Sequence, residues 1–123
     1  MKIKFYDIKN SEDSLEKLMK QDLIFDGYVW KLHKNIKEIN EALLFLNEKR
    51  EKLVEKYGEI NDKNETHVKE ENKDIFLKEY KDVLDTEFDL NIEKIPISLL
   101  EKSNVKLSPY DISNLEFIFD YTI

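Results

Sequence analysis

A mostly helical chain with a small β component is the fold class this sequence predicts, and three observations carry the prediction. Apolar side chains recur at heptad spacing from Phe25 to Tyr57. Gly and Pro are limited to two each among 123 residues, which favours long regular elements over a fold built from loops. One stretch, Thr86 to Glu93, switches to the two-residue period of a strand. The expected architecture is α+β in one domain over residues 1–123. It has a long helix in an antiparallel helical hairpin or coiled-coil arrangement, a short strand or small sheet, and a C-terminal helix.

At the start, Lys2-Ile3-Lys4-Phe5-Tyr6-Asp7-Ile8 reads either as a short strand with Ile3 and Phe5 on one face or as an irregular lead-in. Asn10 or Ser11 then offers an N-cap, Glu12 and Asp13 suit the positive end of a helix, and Leu15, Leu18 and Met19 follow at helical spacing. This predicts a first helix over 11–21. In the next segment Phe25, Val29, Leu32, Ile36, Ile39, Leu43, Leu46, Arg50, Leu53 and Tyr57 are separated by alternating steps of four and three. Nine of these ten side chains are apolar or aromatic, so they form a heptad seam on one helix over 24–57, roughly 50 Å long at ~1.5 Å per residue. Gly58 stands where a C-terminal cap belongs. Tyr28, Trp30, Leu44 and Val54 lie off the seam and widen the stripe beyond what a two-stranded coil requires. Either the chain's own helices cover the stripe, or part of it is left for self-association.

A polar loop, or the tip of a hairpin, is expected over 59–71. Asn72 can cap a helix over 73–85 in which Phe76, Tyr80, Val83 and Leu84 share a face, a natural antiparallel partner for the rod. In the strand over 86–93, Phe88, Leu90 and Ile92 alternate with Glu87, Asp89, Asn91 and Glu93. Its backbone needs a partner: the segment 3–8, the segment 105–107, or another chain. Ser98 and Glu101 have capping-box spacing for one short turn, and Ser108-Pro109 opens a final helix over 109–119. Ile112, Leu115 and Phe119 face inward there, leaving Phe117, Ile118, Tyr121 and Ile123 either docked on the core or exposed as an apolar end.

Sites of chemistry are hard to find. With no Cys, the chain offers no disulfide, thiolate metal site or thiol nucleophile. His33 and His67 lack a ligand set at the usual spacing, so no metal and no cofactor is expected. The start of an EF-hand loop in Asp62, Asn64 and Thr66 fails at His67, where glycine is needed, and at Lys73, where a bidentate Glu is needed. Gly27 and Gly58 are the only glycines, so there is no phosphate cradle and no nucleophile elbow. These readings point to a protein that is not an enzyme.

Charged residues make up 38% of the chain and the net charge is −7. An acidic total disfavours direct nucleic-acid binding, and Arg50 is the single arginine able to read phosphate or guanine with a fork. No run approaches the ~20 apolar residues of a membrane span, and the opening residues lack the apolar core of a signal peptide. A cytoplasmic protein with no membrane role is therefore expected. Arg50, a permanent charge on an apolar seam, either packs its stem and reaches Glu51, Glu55 or a facing helix, or fixes register and partner choice.

Several segments, taken in order, carry a resemblance: Met1-Lys2-Ile3-Lys4, then Lys34-Asn35-Ile36-Lys37, and the run Glu48-Lys49-Arg50-Glu51-Lys52-Leu53-Val54-Glu55-Lys56-Tyr57-Gly58. Phe88-Asp89-Leu90-Asn91-Ile92 and Leu107-Ser108-Pro109-Tyr110-Asp111 complete the set. Together they resemble a family of small tailed-phage and prophage proteins from low-GC Gram-positive hosts, a domain of unknown function. The resemblance implies phage origin and carries over no activity and no functional residue. The expected function is binding of a host or phage protein, or of further copies of the chain, through the seam of the long helix. The acidic strand face of Asp85, Glu87, Asp89 and Glu93 is a second candidate surface. The alternative is an anti-defence inhibitor, anti-CRISPR-like, whose acidic surface blocks a host immune complex.

Overall fold

The computed structural model describes residues 1–22 and 27–121. The chain opens with a short strand, β1 (Lys2–Lys4), and turns at once into helix α1 (Phe5–Met19). This helix starts six residues before the predicted 11–21, so the strand reading of the lead-in holds only as far as Lys4. The start is set by Asp7, whose carboxylate accepts a hydrogen bond from the Lys4 backbone N–H at 3.3 Å. Asn10 and Ser11 are not caps. Ser11 is buried inside the helix, where its hydroxyl donates to the Ile8 carbonyl at 2.7 Å and needs no water. Phe5, Ile8, Leu15 and Leu18 share that buried side.

The long helix, α2 (Val29–Tyr57), runs unbroken for 29 residues, about 43 Å at ~1.5 Å per residue. The predicted start at 24 and the first seam residue, Phe25, lie outside the described residues. Gly27 adopts a left-handed φ of 89° and Tyr28 occupies the cap position, so both precede the helix instead of belonging to it.

At its far end α2 passes directly into β2 (Gly58–Ile60), which pairs antiparallel with β3 (Thr66–Val68). Of the two readings of 59–71, a polar loop or the tip of a hairpin, the structure has the hairpin. Its turn is built by Asn61, whose side-chain carbonyl accepts from the Lys63 and Glu65 backbone N–H groups at 2.9 Å, and by Asn64 at φ 62°. Gly58 is extended, not left-handed, and glycine is needed for closeness: a Cβ would overlap the carbonyl oxygens of Val54 and His67. A single 3-10 turn over Glu70–Asn72 then leads into α3 (Lys73–Leu84). Asn72 holds the cap position, but its amide donates to the Tyr57 carbonyl at 3.2 Å. It joins α3 to the end of α2 and leaves the first turn of α3 uncapped by a side chain.

From there the chain retraces α2 in reverse. Tyr57 donates to Glu79 at 2.7 Å; further along, the Phe5 ring stacks between Phe45 of α2 and Phe88, at 5.5 and 4.2 Å. Asn35, nearer the start of α2, bonds to Glu93. These contacts make the antiparallel hairpin expected from the sequence. Phe88 lies in β4 (Glu87–Asp89), which pairs antiparallel with β1, Ile3 opposite Phe88. The strand predicted over 86–93 is thus three residues long in its ladder, with the first of the three expected partners. Alternation of burial still continues through Leu90 and Ile92, and Leu90 N–H donates to the Met1 carbonyl at 2.8 Å.

Next come β5 (Ile95–Pro96), the one-turn helix α4 (Ser98–Lys102) and α5 (Pro109–Asn114). Ser108 and Asp111 cap α5 reciprocally, the Asp111 N–H donating to the Ser108 hydroxyl oxygen and the Ser108 N–H to the Asp111 carboxylate, both at 3.1 Å. The final helix predicted over 109–119 ends at Asn114. A 3-10 turn over Glu116–Ile118 follows, and β6 (Phe119–Asp120) pairs parallel with β5. This distant pairing draws the chain out of helix and seats Ile118 and Phe119 in the core, with Phe117 packed against it. The apolar end is therefore docked; Tyr121 remains 48% exposed, and Ile123 lies outside the described residues.

Candidate binding face of the long helix

The buried line of α2 consists of Leu32, Asn35, Ile39, Ala42 and Leu46. It follows the same alternation of threes and fours as the predicted seam but is rotated from it, since Asn35 and Ala42 replace Ile36 and Leu43. Of the seam candidates, Leu32, Ile39 and Leu46 are buried against the chain's own elements and are not presented to a partner. Ile36, Leu43, Leu53 and Tyr57 are half-buried, whereas Val29 and Arg50 are exposed. Among the described residues no carboxylate pairs with the Arg50 guanidinium, so the expected reach to Glu51 or Glu55 is not made.

Asn35 is the residue that reading by hydrophobicity misses. Fully buried, it donates through Nδ2 to the Glu93 carbonyl at 2.7 Å and accepts from the Glu93 N–H at 2.9 Å. An extended segment beyond its ladder is thereby fastened to α2 by both of its backbone groups. The signal was present in the spacing, because position 35 falls midway on the line from Leu32 to Ile39.

Successive α-helical residues are ~100° apart, so the side of α2 opposite this line is formed by Trp30, Lys37, Leu44, Glu48, Glu51 and Glu55. All six are exposed. Trp30 is 77% and Leu44 62% accessible to solvent, large apolar groups on the one side of the helix that no other element covers among the described residues. Between them runs a shallow groove of about 340 Å³ bordered by His33, Ile36, Lys37, Asn40, Glu41 and Leu44. Trp30 is held edge-on against His33, with ring centroids 6.4 Å apart.

The acidic candidates sit elsewhere and are interleaved with cations. Asp85 ends α3; Glu87 and Asp89 point outward from β4, directly across the ladder from Lys4 and Lys2. The Glu93 carboxylate pairs with Lys34 at 3.3 Å. One further carboxylate, Asp111, is only 3% exposed and joins α5 to α1. It accepts from the Ser14 hydroxyl at 2.8 Å, from the Ser108 N–H, and from the Ser108 hydroxyl at 3.0 Å, with Lys17 at 3.4 Å. These hydrogen bonds, Ser14 first, outweigh its burial and hold its pKa down at about 2. Its partners Ser14, Ser108 and Lys17 all belong to α1 and the start of α5, so the group serves structure.

A larger groove of about 690 Å³ lies beside β1 and the C-terminal segment, where Asp7, Lys94, Glu116 and Tyr121 give it mixed charge. Among the described residues no three His, Asp or Glu side chains gather at metal-binding distance, and no helix is long and apolar enough to cross a membrane. Comparison of the chain with protein-family models, with curated proteins and with solved structures finds no match in any of the three.

Proposed function

We propose that the chain is a non-enzymatic protein of phage or prophage origin, acting in the cytoplasm of a bacterial host by binding protein through the outward side of α2. The observation that carries this reading is the presence of Trp30 and Leu44, exposed at 77% and 62%, on one side of a helix whose opposite side is anchored in the core. Tryptophan is among the side chains that contribute most to protein interfaces, because its large rigid surface is desolvated at little entropic cost. A helix fixed along its length by α1 and α3 presents that side chain without further ordering. The phage setting rests on the resemblance of the chain's segments to that family.

The alternative, an anti-defence inhibitor presenting acidic residues to a basic channel, draws less support. Its candidates Glu87 and Asp89 face Lys4 and Lys2 across the ladder, and Glu93 is paired with Lys34.

A photo-crosslinking amino acid at position 40, an uncharged and exposed residue on the border of the groove, tests the proposal in the full chain expressed in cells. It is expected to capture protein efficiently, whereas the same group at exposed position 62, in the hairpin turn, captures little. Equal or negligible capture at both positions contradicts the reading.

A further inference from the structure

We infer that the occupant of this face is a second copy of the same chain, laid antiparallel against α2. The inference rests on the binding role proposed above and adds the identity of the partner.

The outward side of α2 is divided by charge. Its first half carries Lys37, with Lys34 and Glu41 on one margin and Lys34 already paired with Glu93 at 3.3 Å, whereas the second half carries Glu48, Glu51 and Glu55, with Lys52 on the same margin. Within the described residues, none of Lys37, Glu48, Glu51 and Glu55 is in an ion pair. A copy in parallel register sets like charge on like. An antiparallel copy sets the unpaired Lys37 of each against the acidic half of the other and keeps the two acidic halves apart, so the face is complementary to itself, as the shared surface of a two-fold dimer must be.

Leu44 supplies the apolar centre. With Leu44 on the two-fold axis, residues at equal distances on either side meet. Lys37 and Glu51 are both seven residues from it, and His33 and Glu55 both eleven. Seven and eleven residues are close to two and three helical turns, so these side chains share the side of the helix that Leu44 occupies. Each Lys37 therefore approaches the Glu51 of the other copy. Trp30, fourteen residues before Leu44, reaches the level of Gly58 in the other copy, where β2 begins and where Ile60 is 67% exposed. The pair is held by a small apolar contact and by exposed charges, which makes it reversible and sensitive to salt.

Sedimentation equilibrium of the full chain at low and high salt tests this. A monomer–dimer equilibrium that weakens with salt is expected. Reversing one charge, Lys37→Glu or Glu51→Lys, is expected to weaken it roughly tenfold, because the symmetry counts each exposed pair twice. Combining both reversals restores association to within a few-fold of the original. These positions are exposed, and circular dichroism checks that the helix is unchanged. A chain that stays monomeric at every concentration overturns the inference, as does a dimer indifferent to the single reversals or a double variant no better than either. Should the crosslinker at position 40 capture a different protein while the chain is monomeric, self-pairing fails and the proposed function stands. If it captures nothing, both fail.

Discussion

Asn35 holds two backbone groups of Glu93, and both would be left without a protein partner if its amide were removed. Asn35→Ala is expected to destabilise the fold by about 2–3 kcal/mol, measured by urea denaturation, since a buried donor and acceptor lose their hydrogen bonds together. Arg50→Gln, at an exposed seam position without an ion pair, is expected to change stability by less than about 0.5 kcal/mol. Asp111 is expected to give the fold an acid-sensitive joint. Its pKa is depressed from 3.8 to about 2, so its stabilising contribution is complete above pH 4 and is lost as pH falls towards 2. Acid titration of the Asp111→Asn variant, followed by circular dichroism, is expected to show a flatter decline over that window. At this scale the sequence misleads where polar residues are buried. Ser11 and Asn35 look like a cap and a surface amide, and only their spacing among apolar neighbours marks them as interior.

Elements with long, periodic patterns were legible. The body of α2, the whole of α3 and the capped start of α5 follow from spacing and from Ser108-Pro109, because local chemistry decides them. Elements decided by backbone geometry or by distant partners were legible only in part or not at all. The hairpin of β2 and β3 lies in a run with few apolar residues, and its evidence is backbone geometry: an Asn61 turn, a left-handed Asn64 and a glycine in close contact. The last helix stops early because Phe119 pairs with Ile95, a contact no local pattern records. Gly58→Ala places a methyl group against the carbonyls of Val54 and His67 and is expected to cost about 2 kcal/mol by displacing the hairpin, read as a lower melting temperature. Leu46→Ala, in the buried line of α2, is expected to cost about 2–5 kcal/mol through the cavity it leaves. The contrast with Leu44→Ala, whose side chain is 62% exposed, is the useful one: that change is expected to leave stability within about 0.5 kcal/mol while weakening binding.

Across the whole molecule, α2 has two sides with different work. One is covered by α1, α3 and the extended segments, and this internal cover was one of the two alternatives the width of the apolar stripe allowed. The other side carries Trp30, Leu44 and a charge gradient. The heptad count blurred this division: the seam it drew runs between the covered and the open sides, taking Leu32, Ile39 and Leu46 from the core and Val29 from solvent. Separating the two sides required knowing where α1 and α3 pack. Trp30 is the only tryptophan in the chain, so its accessibility can be measured without ambiguity. Acrylamide quenching of its fluorescence is expected to be efficient in dilute protein and to fall as concentration rises at low salt, when the outward side becomes covered by a second copy. A Trp30 already shielded at the lowest concentration would mean that the chain covers this side itself, which contradicts the open face on which the account depends.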